Sequence, residues 1–222
     1  MNAKTALLLV ALSLTGCGQK PGSPPSPEST SVATIPGHET LPAGAAASGA
    51  SLYELELALT DQDGRRIGLD HFAGQPVIVS MFYGSCPYAC PMLISDIKRV
   101  MAALDPETRR ATRVLLVSFD PERDTPAALD ELAKRHELDE RAWRLTRASS
   151  EDVRQLAAVL GIRYRKLENG AFNHSTVLTV LSPDGVARFR QDGLGDPPEA
   201  TARAVKAALE RDGRPRLGLL DR

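Results

Sequence analysis

An α/β domain, with a mixed central sheet covered by helices on both faces, is predicted by three features of the sequence. Short apolar runs of strand length alternate with stretches whose apolar residues recur at helical spacing. The last third holds two apolar runs joined by Ser182-Pro183-Asp184-Gly185, which makes them antiparallel neighbours. The order is strand, helix, strand, helix, then hairpin and helix, and a buried sheet with helices on each side accommodates it.

The elements follow in chain order. Leu55, Leu57 and Leu59 alternate with Glu54, Glu56 and Ala58, as in a half-buried strand, and Asp63-Gly64 makes a turn. Pro76 to Tyr83 is a mostly apolar run that fits a strand buried on both faces. After Pro91, the residues Leu93, Ile97, Val100, Met101 and Leu104 define one face of a helix. Val114 to Phe119 reads as a second buried strand. Thr125 and Pro126 have the chemistry of N-cap and first helical position, for a helix reaching about His136. Trp143 to Leu145 is a short strand, and Ser149 with Asp152 opens a helix that Gly161 ends. Val177 to Leu181 and Val186 to Arg190 form the hairpin. A closing helix runs from Pro198 to about Arg211, with Ala202, Val205, Ala208 and Leu209 inward.

The chain has 222 residues and a formal net charge of -1. That length suits one domain with a substantial core. The charge gives no basic surface for nucleic acid, and no run of about 20 apolar residues in the body of the chain reads as a membrane span.

The N-terminus begins with Lys4 and a short apolar stretch, Ala6 to Leu14, too short to cross a bilayer and suited to a signal peptide. It ends in Leu14-Thr15-Gly16-Cys17, which resembles a bacterial lipobox. Residues 1–16 are therefore expected to be a lipoprotein signal peptide, and Cys17 the lipidated residue. Residues 17–50 are rich in Pro, Ser, Gly, Ala and Thr and read as a flexible linker. The domain is expected over 51–213, with a C-terminal tail at 214–222. The expected location is the bacterial cell envelope, membrane-anchored and facing the periplasm.

Of the three cysteines, Cys17 ends the leader and Cys86 and Cys90 lie together where a buried strand gives way to a helix. Such a junction presents first-turn amides and the positive end of the helix dipole, which stabilise a thiolate as ligand or nucleophile. Residues at i and i+4 share a helix face, so the two sulfurs can close a disulfide or grip one metal ion. Three residues intervene, one more than in the Cys-x-x-Cys redox motif, and the wider loop suits chelation. Soft thiolates favour Cu(I), and an added imidazole lets the site keep Cu(II). A structural disulfide is the competing reading, but a loop this short restrains little of the unfolded chain.

Tyr83-Gly84-Ser85-Cys86-Pro87-Tyr88-Ala89-Cys90-Pro91 resembles the Cys-Pro-x-x-Cys-Pro signature of the Sco/SenC family. Ser118 to Pro126 is similar to the family's segment after its next strand, and Asn173-His174-Ser175 falls where the family carries a histidine ligand. Leu59 to Gly64 is also typical, so the resemblance spans about Leu52 to Leu209. It implies a thioredoxin-like fold and copper bound by Cys86, Cys90 and His174. Asp120 would stand near them in a supporting role. It further implies assembly of the CuA centre, with the CuA-bearing subunit of cytochrome c oxidase as partner. Other copper chaperones or thiol reductants are further candidate partners. Tyr88 departs from the family, which often carries a polar or acidic residue there.

From position alone His174 reads as a surface or hydrogen-bonded histidine, and the resemblance is what makes it a ligand. His38 reads as solvated, His71 as part of a turn, and His136 as sitting near a helix C-terminus, where a cation is favourable. Met81 and Met92 flank the cysteine motif and are assigned to core packing rather than to thioether ligation. Two functions compete for the thiols: a copper metallochaperone, and a thiol-disulfide oxidoreductase with Cys86 and Cys90 as its redox pair. The oxidised pair cannot bind copper. A peroxidase would need an Arg or Thr placed around peroxide, which the sequence does not locate.

Overall fold

The computed structural model describes residues 49–210. Cys17, His38 and the leader and linker assignments lie outside these residues.

The strands are β1 (Leu59–Asp61), β2 (Arg66–Ile67), β3 (Val77–Phe82), β4 (Arg113–Ser118), β5 (Trp143–Arg147), β6 (Tyr164–Lys166), β7 (Phe172–His174), β8 (Val177–Leu181) and β9 (Ala187–Asp192). The helices are α1 (Ala89–Ala103), α2 (Pro106–Ala111), α3 (Pro126–Arg135), α4 (Ser150–Val159) and α5 (Glu199–Glu210). Seven strands form one sheet in the order β2-β1-β5-β4-β3-β8-β9. Strands β3, β4 and β5 are parallel, whereas β8 joins β3 antiparallel. The sheet is therefore mixed, as the sequence predicts.

Every residue of β3 is buried, which explains its unbroken apolar run. Helices cover both faces. Gln191 of β9 accepts the Thr201 hydroxyl of α5 at 2.6 Å. Its neighbour Arg190 points the opposite way and donates to the Leu160 carbonyl at the end of α4.

Local chemistry fixes the helix starts. Thr125 caps α3 by accepting from the Ala128 amide, and Pro126 follows at the first turn. Ser149 caps α4 through the Asp152 amide at 3.1 Å. Gly161, just after α4, has φ +62°, a left-handed conformation that costs glycine little.

Several boundaries differ from the sequence reading. The first strand starts at Leu59: Leu52–Glu54 is a 3₁₀ turn that buries Leu52, and residues 55–58 are an extended lead-in outside the sheet. Helix α1 begins at Ala89, ahead of Pro91, since proline is tolerated in a first turn. Helix α2 and the β6–β7 hairpin are additional elements. Met81 is buried as expected, but Met92 is 50% exposed because it lies on the solvent side of α1.

Candidate metal centre

Cys86 and Cys90 sit at the end of β3, and both are free thiols. They do not share a helix face. Tyr88 is the N-cap of α1, so Cys90 lies within the first turn and Cys86 in the loop before it. Tyr88 supplies no side-chain hydrogen bond as a cap. The backbone amides of Tyr88 and Cys90 lie near the Cys86 sulfur and favour its ionised form.

The two thiols differ. Burial works against ionisation of Cys86, but the Cys90 and Tyr88 amides, the Cys90 thiol and the Tyr83 hydroxyl outweigh it. Cys86 is thereby drawn below the ordinary thiol range. Burial pushes the Cys90 thiol up, and the charges at Cys86 and Asp124 add to this. The Cys90 thiol donates to the Tyr83 carbonyl at 3.1 Å.

His174 is carried on β7, which pairs with β6 in a small two-stranded antiparallel sheet, where Tyr164 stands opposite His174. Alternation puts Tyr164, Lys166, Phe172 and His174 on one face of this hairpin. The rings on that face pack on the end of the main sheet. Phe119 lies 4.8 Å from Tyr164 and 5.1 Å from the His174 imidazole, and Tyr83 lies 5.8 Å from the same imidazole. The imidazole Nδ1 stands 3.2 Å from the Ser175 carbonyl. A carbonyl can only accept, so Nδ1 carries the proton and the Nε2 lone pair is left for a metal ion.

The structure thus brings both thiols together and sets the imidazole beyond the Tyr83 ring. Among the described residues, no three His, Cys, Asp or Glu side chains are gathered closely enough to hold a metal ion. Soft donors in contact suit a soft cation.

Asp120 is buried and faces the hairpin. Its carboxylate pairs with Arg123 at 3.3 Å and with Lys166 of β6 at 4.0 Å. Arg123 also donates to the Gly170 carbonyl of the hairpin turn at 3.0 Å. The carboxylate that reaches the thiol loop is Asp124, which sequence reasoning missed. It accepts from the Gly84 amide at 2.9 Å and from the Ser118 hydroxyl. A Cβ on Gly84 would lie 2.6 Å from an Asp124 oxygen, so this approach requires glycine. His71 lies in a 3₁₀ turn and His136 caps the C-terminus of α3, both apart from the site as expected.

This pairing of a thioredoxin-like mixed sheet with a thiol pair at a strand-to-helix junction defines a class of thiol-bearing α/β proteins. The SCO1/SenC family profile matches residues 45–210, and the chain belongs to that family. It is 26% identical over 149 residues to a protein of Stutzerimonas stutzeri described as "Putative copper-binding protein", covering 63% of this chain and 72% of that one. It is 29% identical over 143 residues to the mitochondrial SCO2 homologue of Bos taurus, covering 62% of this chain. The chain spans about half the length of that mitochondrial relative, 53%. Among solved structures it is similar to BsSco, described as having a disulfide switch and as a member of the Sco family of cytochrome c oxidase assembly proteins. That likeness has a TM-score of 0.62 at 23% identity and covers 71% of this chain and 94% of that one, which supports the fold. No helix among the described residues is long and apolar enough to cross a membrane.

Proposed function

We propose that this protein is a copper metallochaperone of the bacterial cell envelope. The Cys86 and Cys90 sulfurs and Nε2 of His174 bind copper for delivery to the CuA centre of cytochrome c oxidase. Asp120 supports the site by holding Lys166 and Arg123, and through them the hairpin that carries His174. The observation that carries this reading is the pair of free thiols at the strand-to-helix junction, Cys86 in the loop and Cys90 in the first turn of α1. Family membership and the copper-binding description of the Stutzerimonas stutzeri relative support it.

The test is a titration of the reduced protein. One equivalent of Cu(I) binds tightly, and Cu(II) gives a sulfur-to-copper absorption band. Failure to bind either ion with both thiols reduced excludes the reading.

A second reading is favoured by the inequality of the thiols. A low-pKa, partly exposed Cys86 beside a buried, protonated Cys90 is also the arrangement of a dithiol reductant. Its substrate would be a disulfide in the CuA site or in another extracytoplasmic protein.

The anchor is proposed at Cys17, with the acylated N-terminus holding the domain at the membrane through the residue 17–50 linker. In Cys17→Ser, palmitate labelling is expected to vanish and the protein to leave the membrane or stall in maturation, with copper binding unchanged. Labelling that persists would refute the anchor.

A further inference from the structure

Two neighbouring side chains of one turn reach the two halves of the proposed site. The turn follows β4 and closes on the Asp120 carbonyl, which accepts the Arg123 and Asp124 amides at 3.1 and 2.9 Å. Asp124 serves the thiol half. Its carboxylate accepts the amide of Gly84, just before the Cys86 loop, at 2.9 Å. Arg123 serves the other half. Its guanidinium donates to the Gly170 carbonyl at 3.0 Å and pairs with the Asp120 carboxylate at 3.3 Å. Gly170 lies in the turn that joins β6 to β7, the strand of His174.

Both approaches are made at glycines. A Cβ on Gly84 would meet the Asp124 carboxylate at 2.6 Å, and one on Gly170 would meet the Arg123 guanidinium at 2.7 Å. Gly170 has φ +79° as well, so the hairpin turn also favours glycine through its backbone. The Lys166–Glu122 pair joins the same two segments at 3.3 Å, but both side chains are largely exposed and such pairs hold weakly. Arg123 holds better, because its carboxylate partner is 2% exposed and its bonds are charge-assisted. We propose that Arg123 is a positioning residue: it moors the hairpin of His174 to the turn that also holds the thiol loop, and so sets the imidazole relative to the sulfurs. The mooring belongs to the metal-free protein. Its effect on copper rests on the copper reading.

The test is Arg123→Ala in the reduced protein, first without metal. Amide exchange at Leu167 and Gly170, whose bonds close the hairpin turn, is expected to quicken about fivefold, the ratio one ordinary net hydrogen bond supplies. Exchange at Gly84 and in β3 stays unchanged. With copper, the variant loses about tenfold in Cu(II) affinity, as when a partner behind a metal ligand is removed, and keeps its Cu(I) affinity. In a His174→Ala background, Arg123→Ala changes Cu(II) affinity no further, because both act through the imidazole. Unchanged exchange at Leu167 and Gly170 overturns the mooring. Equal quickening at Gly84 also overturns it, since the whole turn has then collapsed. A Cu(II) loss that persists without His174, or that Cu(I) shares equally, overturns the positioning role. The expected exchange pattern in a protein that binds no copper would uphold the mooring and sink the metal reading of the site.

Discussion

Cys86→Ser and Cys90→Ser each lower Cu(I) affinity by more than about a hundredfold, beyond the range that loss of a supporting partner of a metal ligand covers. Serine replaces a soft sulfur with a hard hydroxyl that does not ionise at neutral pH, so one of two thiolates is lost outright. The fold survives both changes. At position 90 a serine hydroxyl can still donate to the Tyr83 carbonyl that the thiol now uses. At position 86 the side chain is only partly buried, so a hydroxyl there is not left without water. Competition with a Cu(I) chelator, alongside a melting curve for each variant, separates ligand loss from unfolding. A variant that melts like the wild type and competes equally well for Cu(I) removes that cysteine from the site.

The main sheet was legible because its signals are local. β3 and β4 announce themselves as apolar runs, and Thr125-Pro126 and Ser149 mark helix starts through side chains that reach backbone amides within three residues. Helix α2 carries a similar local signal in Asp105-Pro106, where Asp105 accepts from the Glu107 and Thr108 amides. The β6–β7 hairpin had no such signal. Its strands are three residues each, too short for a period to show, and it is held by aromatic contacts to Phe119 and Tyr83 from distant parts of the chain.

The same contrast runs through the site. The cysteine spacing pointed to a thiol pair, but the i, i+4 argument misplaced Cys86 on the helix, since a loop and not a helical turn brings the sulfurs together. His174 was reached through the family resemblance alone. Asp124 lies in a motif that sequence reading used only for its first carboxylate. Its role depends on Gly84 coming close, 40 positions earlier, which no local pattern encodes.

His174→Ala distinguishes copper delivery from dithiol reduction. Cu(I) is satisfied by two thiolates, whereas Cu(II) gains from an imidazole nitrogen, so the variant loses about a hundredfold or more in Cu(II) affinity and less in Cu(I) affinity. Its sulfur-to-copper absorption shifts as the donor set changes. The thiols themselves are undisturbed: Cys86 stays in the loop before α1, and Cys90 still bonds to the Tyr83 carbonyl. The Cys86–Cys90 disulfide therefore forms and is reduced as before. In cells limited for copper, CuA assembly fails in this variant when copper transfer is the task, and persists when dithiol reduction is the task. Normal oxidase in such a strain would move the assignment to the oxidoreductase. An unchanged Cu(II) spectrum would take His174 out of the site and leave the Phe119–Tyr83 aromatic cluster as the reason for its position.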